Sequence, residues 1–126
     1  MGVHFEALRL ASSLLIALRV PNRLRVALAV VFALIAHVVE VVLFCVGWVL
    51  LHRLGFAYLS QPDPDFEDLL YFYLVTYTSL GYGDIVPLGP ARVLAGVQSL
   101  VGLVLIAWTA SFTYLQMRRY WGDDDA

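Results

Sequence analysis

Lysine is missing from this chain altogether, and all eight basic residues are arginine. Cysteine occurs once, at Cys45 inside an apolar run, so no intrachain disulfide can form and the thiol reads as a buried, inert side chain. Charge is scarce: 14% of the 126 residues are charged against 61% hydrophobic, with mean hydropathy at +0.80. Most of such a chain cannot form an aqueous surface, and it belongs in a bilayer. No Cys/His cluster or Walker-type loop is present, so the chain reads as non-enzymatic and without a cofactor. Nothing in its composition implies a nucleic acid or a soluble partner. With no internal repeat it is one domain, too short to build a wide pore alone, so any large assembly must come from copies.

Two apolar runs are present. The first has only His37 and Glu40 as strongly polar members, and we place an outer helix over 26–52; its 26-residue apolar part, at 1.5 Å per residue, gives about 39 Å, enough to cross ~30 Å of hydrocarbon with tilt. The second, an inner helix over 91–117, is interrupted only by Arg92 and by small or hydroxyl residues. The segment between them is too apolar from Phe66 onward for a simple loop and too short for a third crossing, so a re-entrant hairpin is expected. Asp63-Pro64-Asp65 predicts an acidic cap with the proline in the first helical turn, reinforced by Glu67 and Asp68, opening a short helix over 65–78.

Residues 1–21 hold apolar residues near helical spacing, but Arg9 and Arg19 leave too short an uncharged stretch to span, and Pro21 separates it from the first crossing. We expect an amphipathic helix on the membrane surface rather than a signal peptide, and no myristoylation signal. Arg9, Arg19, Arg23 and Arg25 precede the first span and Arg118 and Arg119 follow the second, which predicts a multi-pass protein of the plasma membrane (the cell inner membrane) with both termini cytoplasmic. The segment between carries Asp63, Asp65, Glu67, Asp68 and Asp84, an acidic mouth that concentrates cations. Trp48, Tyr120 and Trp121 are expected as interfacial anchors, and Asp123 to Asp125 as a solvated end of an acidic tail over 118–126.

The stretch VTYTSLGYGDIVP, Val75 to Pro87, is the most specific feature. A cation shedding its water needs a close ring of oxygens, and a backbone supplies them when successive carbonyls point one way. That requires alternate residues in conformations open mainly to glycine, which explains Gly81 and Gly83 on either side of Tyr82. Leu80 and Tyr82 would then point back into protein, where Tyr71, Phe72, Tyr73 and Tyr77 offer an aromatic collar. The stretch resembles the signature of potassium channels, and the layout of helix, pore helix, filter and helix is similar to the two-transmembrane, pore-loop members of that family. The resemblance implies an all-α membrane protein in which two transmembrane helices flank a re-entrant pore helix and a selectivity filter over 79–84, assembled as a four-fold homotetramer among membrane lipids.

It further implies a passive potassium channel whose K+ ions are held at Ser79, Leu80, Gly81 and Tyr82, with the Ser79 hydroxyl at the inner site. Thr76, Thr78, Gly83, Asp84 and Tyr71 support the filter, and the Tyr71 hydroxyl is expected to bond Asp84. Arg92 heads the inner helix, and Gly102 matches the glycine at which that helix bends. Spacing by four from Gly102 places Ile106, Ala110 and Tyr114 on one face, expected to line the cavity and its gate. Ser79 and Leu80 replace the family's usual threonine and valine or isoleucine, and Val75 stands where some members carry a glutamate. Val86, at the outer mouth, predicts weak external block by quaternary ammonium. The 126 residues contain no arginine-spaced sensor helix and no cytoplasmic domain, so gating is expected in the filter, the inner helix or the N-terminal helix. The alternatives are a less selective monovalent cation channel and a non-conducting pore-like membrane subunit.

His37 and Glu40 lie three apart on one helical face near mid-membrane, a costly placement for a carboxylate, ~2.5–3.5 kcal/mol on insertion scales. Two readings stand: a polar clamp to Tyr77, Gln98 or Ser99, or a proton sensor.

Overall fold

A computed structural model describes residues 1–121, in the order α1 (Gly2–Ala17), α2 (Asn22–Arg53), β1 (Tyr58–Leu59), α3 (Phe66–Tyr77), β2 (Pro87–Leu88) and α4 (Ala91–Trp121). Both long helices, α2 and α4, have the length and hydropathy of membrane spans. The chain divides into two compact units, one of residues 1–40 with the chain from 105 onward, the other of residues 41–104.

In the first unit, α1 buries His4, Leu8, Ala11 and Leu15, a stripe at three- and four-residue spacing. On α2 the matching stripe is Val26, Ala29, Ala33, Ala36 and Glu40. Its small side chains let helices approach closely, which is how packing is gained where lipid offers no hydrophobic drive. From α4, Leu105, Gln116 and Tyr120 are buried, and Gln116 Nε2 donates to Ser12 Oγ at 3.4 Å. The opposite side of α1 carries much apolar surface: Val3, Phe5, Leu10, Leu14 and Ile16 are all about half exposed. Glu6, Arg9 and Ser13 share that exposed side, while polar His4 is fully buried.

Pro21 does start the span. Its carbonyl accepts the N–H groups of Leu24 and Arg25, so α2 begins at Asn22, four residues earlier than expected. Arg25 donates to the Leu18 carbonyl at 2.9 Å and lies over the Tyr120 ring at 5.3 Å. Tyr120 is thus a buried packing residue, not an interfacial anchor. The last turn of α4 contains Arg118 and Arg119, whose charge complements the helix C-terminus, so these residues are helical rather than tail. Asp123 to Asp125 lie outside the described residues.

In the second unit, α3 buries Phe72, Tyr73, Val75, Thr76 and Tyr77. Trp48 of α2 meets Phe72 edge-on at 5.2 Å and Tyr73 at 6.0 Å, and its Nε1–H donates to Gln98 Oε1 of α4 at 2.8 Å. Gln98, fully buried, passes its own Nε2–H to the Tyr73 carbonyl at 3.2 Å. One neutral amide thereby joins three helices with its donor and acceptor both used. Trp48 is a core residue, and its expected anchoring role is corrected. A two-strand antiparallel pairing of β1 with β2, Tyr58 opposite Leu88 and Leu59 opposite Pro87, adds a piece of sheet that helical periodicity did not foretell. Ser60 extends it: its N–H donates to the Val86 carbonyl at 2.8 Å, and its hydroxyl oxygen accepts the Val86 N–H at 3.0 Å.

Gly102 is a close-approach glycine. A Cβ there would stand 1.9 Å from the Tyr77 carbonyl oxygen at the end of α3, a backbone atom that cannot rotate aside. Gly102→Ala is therefore expected to cost about 1–3 kcal/mol by overpacking, read as a lower unfolding temperature in detergent. Gly96→Ala, also inside α4 but with nothing within 4 Å of the added methyl, should not lower it, since Ala favours the helix over Gly.

Candidate functional site

The site begins at the acidic start of α3. Asp65 is the N-cap, extended at φ −77 and ψ −177, and its carboxylate accepts the Asp68 N–H while Asp68 accepts the Asp65 N–H, a reciprocal capping box. Pro64 therefore sits before the cap rather than in the first turn, because Asp65 needs an extended backbone to reach forward to Asp68. Glu67 and Asp68 complement the helix N-terminus.

At the other end the helix's free carbonyls are taken up in detail. Thr78 donates its N–H and hydroxyl to the Leu74 carbonyl, at 3.1 and 2.8 Å. The Ser79 N–H goes to the Thr76 carbonyl and the Gly81 N–H to the Val75 carbonyl, both at 3.1 Å. Ser99 of α4 adds its hydroxyl to the Thr76 carbonyl at 2.8 Å. The strand leaving the helix is thus stapled back onto it by its own amides.

From Ser79 the backbone alternates. Ser79, Gly81 and Gly83 have φ of +59, +47 and +87, whereas Leu80 and Tyr82 do not enter the left-handed region. This is the every-other-residue pattern that turns successive carbonyls to one side. Glycine allows it freely at 81 and 83; at Ser79 it carries a strain of about 1–2 kcal/mol. Residues 78–84 are all exposed in a single chain, Leu80 at 58% and Tyr82 at 69%. The expected collar is corrected here. Phe72, Tyr73 and Tyr77 turn into the core of the unit, and Tyr71 is the ring that meets Tyr82, stacked at 6.2 Å and 7°.

Tyr71 also reaches Asp84, its hydroxyl donating to Oδ1 at 3.0 Å, as anticipated from their shared position at the outer end of the strand. That bond favours the ionised carboxylate and holds the Asp84 carboxyl below its usual range. Beyond it Ile85 is buried and Val86 is exposed, while Arg92 lies exposed in the first turn of α4. The expected gate residues do not share one environment. Gly102 is covered by Tyr77, whereas Ile106, Ala110 and Tyr114 lie open along α4.

His37 and Glu40 are joined to a residue that sequence reading passed over. His4 Nδ1 lies 3.0 Å from Glu40 Oε1, His37 Nδ1 lies 3.3 Å from Glu40 Oε2, and Thr109 Oγ1 is 2.9 Å from His37 Nε2 and 3.2 Å from His4 Nε2. Of the partners expected for this pair, Gln98 and Ser99 are engaged with the α3 carbonyls instead. The only advance signal for His4 was its being a histidine in a greasy helix; a contact across 33 residues of sequence leaves no local pattern.

Because Asp84's carboxyl is depressed by the Tyr71 bond, the interaction is present above the ordinary carboxylate range and lost as pH falls through the lowered value. Tyr71→Phe should move the Asp84 titration midpoint upward, measured by carboxyl-carbon NMR, so that the mouth becomes acid-sensitive at a higher pH. An unmoved midpoint would show that the hydroxyl does not bond the carboxylate in solution.

A family model described as ion channel matches residues 29–118, taking in most of α2, all of α3, the alternating strand and most of α4. The potassium voltage-gated channel protein shk-1 of Caenorhabditis elegans is 38% identical over 56 residues, covering 41% of this chain and 10% of that protein. The chain thus corresponds to about a tenth of the curated relative it matches. No solved structure matches it. With the family match spanning well over half of its length and two helices fit to cross the membrane around a re-entrant α3, the chain belongs to the ion channel family, in its two-transmembrane, pore-loop form.

Proposed function

We propose that this chain is the protomer of a potassium-selective pore, passive and driven by the electrochemical gradient, in which four copies ring a common axis. The observation that carries the reading is the alternation of left-handed backbone at Ser79, Gly81 and Gly83 on a strand that one copy leaves exposed. Irregular backbone at membrane depth is stable only when it lines water or is covered by protein, and copies arranged about the strand supply both. In this reading the carbonyls of Ser79, Leu80, Gly81 and Tyr82 and the Ser79 hydroxyl replace the water shell of K+. Thr76, Thr78, Gly83, Asp84 and Tyr71 hold that strand in place, and no other cofactor takes part. The outward-facing Leu80 and Tyr82 side chains pack on the neighbouring copy, an interface of the cyclic heterologous kind. The protein lies in the plasma membrane with both termini cytoplasmic, supported by the arginines that flank the spans. Ile106, Ala110 and Tyr114 line the inner cavity, and Gly102, packed on α3, couples bending of α4 to the filter. The relative's printed name, a potassium channel, supports the choice of ion.

Purified protein in liposomes should pass K+ down its gradient, with Ba2+ blocking the flux and the reversal potential in mixed Na+ and K+ tracking K+. A reversal potential indifferent to the K+/Na+ exchange would establish a less selective cation pore, and no flux a non-conducting subunit. External tetraethylammonium should block weakly, and Val86→Tyr should strengthen that block by restoring an aromatic face at the mouth. Submicromolar block of the unmodified protein would overturn the assignment of Val86 to the mouth.

A further inference from the structure

The strand and its supports leave unexplained the most polar feature of the first unit, the cluster of His4, His37 and Glu40. A carboxylate and two imidazoles are costly in the interior of an apolar protein, and here His4 is fully buried and Glu40 nearly so. We propose that these three side chains form a binding site for one divalent transition-metal ion of the Zn2+ type, fastening α1 to α2.

The geometry fits such an ion. One ligand atom from each residue can be chosen so that all lie within 4.8 Å of one another. The two close contacts, His4 Nδ1 to Glu40 Oε1 at 3.0 Å and His37 Nδ1 to Glu40 Oε2 at 3.3 Å, match the spacing of neighbouring donors around tetrahedral zinc, about 3.3 Å for bonds of ~2.0–2.2 Å. Thr109 holds both rings from the other side. Its hydroxyl oxygen lies 2.9 Å from His37 Nε2 and 3.2 Å from His4 Nε2 and has the lone pairs to accept an Nε2–H from either ring. Both Nδ1 atoms lie on the carboxylate side, and a hydrogen bond at the outer Nε2 is the arrangement that orients a metal-ligating imidazole.

A second observation points the same way. His4 Nδ1 is buried and makes no hydrogen bond among the described residues, although Glu40 Oε1 is only 3.0 Å away. A cation beside the line from His4 Nδ1 to Glu40 Oε1 would give that nitrogen a partner, since metal–ligand bonds need converge on the ion and not on each other. Two imidazoles and one carboxylate leave a fourth position for water, and His37, the most accessible of the three at 14%, marks the entry side. Nitrogen donors select Zn2+, Co2+, Ni2+ or Cu2+ over Mg2+, Ca2+ and K+, which prefer all-oxygen shells. From α4 the groups facing the cluster are Thr109 and the Trp108 ring, neither of which adds charge.

The site does not depend on conduction, so it is tested on the full chain in detergent after stripping with EDTA. Titration with Co2+ should give one bound ion per chain and the visible absorption of a four-coordinate site, bleached by Zn2+. His4→Asn should abolish it, and Thr109→Val should weaken it about 10–100-fold by releasing the ring orientation. The unfolding temperature of the unmodified protein should rise with Zn2+ and not with Mg2+, a readout independent of whether the variants fold. No Co2+ uptake by the unmodified chain at millimolar free ion would overturn the proposal, as would uptake unaffected by His4→Asn. An unfolding temperature that follows pH without any metal uptake would overturn it in favour of a proton as the cluster's occupant. Loss of K+ flux with metal binding intact would count against the pore and not against this site.

Discussion

A bilayer offers no hydrogen bonds to bare peptide groups, and the structure of this protein is arranged around that one scarcity. The seven residues from Thr78 to Asp84 leave helical geometry between two membrane-crossing helices, so each of their amides must find a partner. Several are found at once by folding the strand back on α3: Thr78, Ser79 and Gly81 give their N–H groups to the carbonyls of Leu74, Thr76 and Val75. Those three donors are consumed on the helix side.

Holding that arrangement falls to the packing of the second unit. Gln98 and Ser99 of α4 each place a hydrogen bond on a carbonyl of α3, at Tyr73 and Thr76. Trp48 closes the amide network from the α2 side while covering Phe72 and Tyr73. The absence of a side chain at Gly102 lets α4 come against the last carbonyl of α3. These contacts over-determine the position of the helix end, which is the condition for keeping a non-glycine residue, Ser79, at φ +59. The two units solve the problem of buried polarity differently. In the second, a neutral amide has its groups matched; in the first, a carboxylate is set among two imidazoles and a hydroxyl, a combination that favours a cation.

Much of this was legible beforehand, for reasons that differ by residue. The spans followed from uninterrupted apolar length, and α3 from the acidic cap and the aromatic run, because helix ends and membrane thickness are local constraints. Gly81 and Gly83 announced the alternating backbone, since glycine's permissiveness is written in its identity. Ser79 did not, because a serine carries no mark of an imposed φ. The Tyr71–Asp84 bond could be anticipated because 13 residues with a known helix end between them leave little freedom. The short β1–β2 pairing escaped notice: two residues on each side hold no periodicity, and one of them is Pro87. Trp48 and Tyr120 looked like interfacial anchors because composition near a helix end suggests that role, whereas their burial is set by Gln98 and Arg25 from distant parts of the chain.

What the amino-acid sequence determined by itself was the class of protein and the place of its chemistry: a membrane chain with two crossings, a re-entrant helix between them, and a glycine-spaced strand at its end. Those features rest on hydropathy, capping and backbone freedom, all of which act over a few residues. What only the tertiary structure decided was which polar side chains meet. His4 lies 33 and 36 positions from His37 and Glu40, and Thr109 lies beyond a hundred from His4, so their convergence depends on how three helices pack in register. Helix packing is set by small-residue stripes such as Ala29, Ala33 and Ala36, whose meaning appears only when a partner helix lies against them.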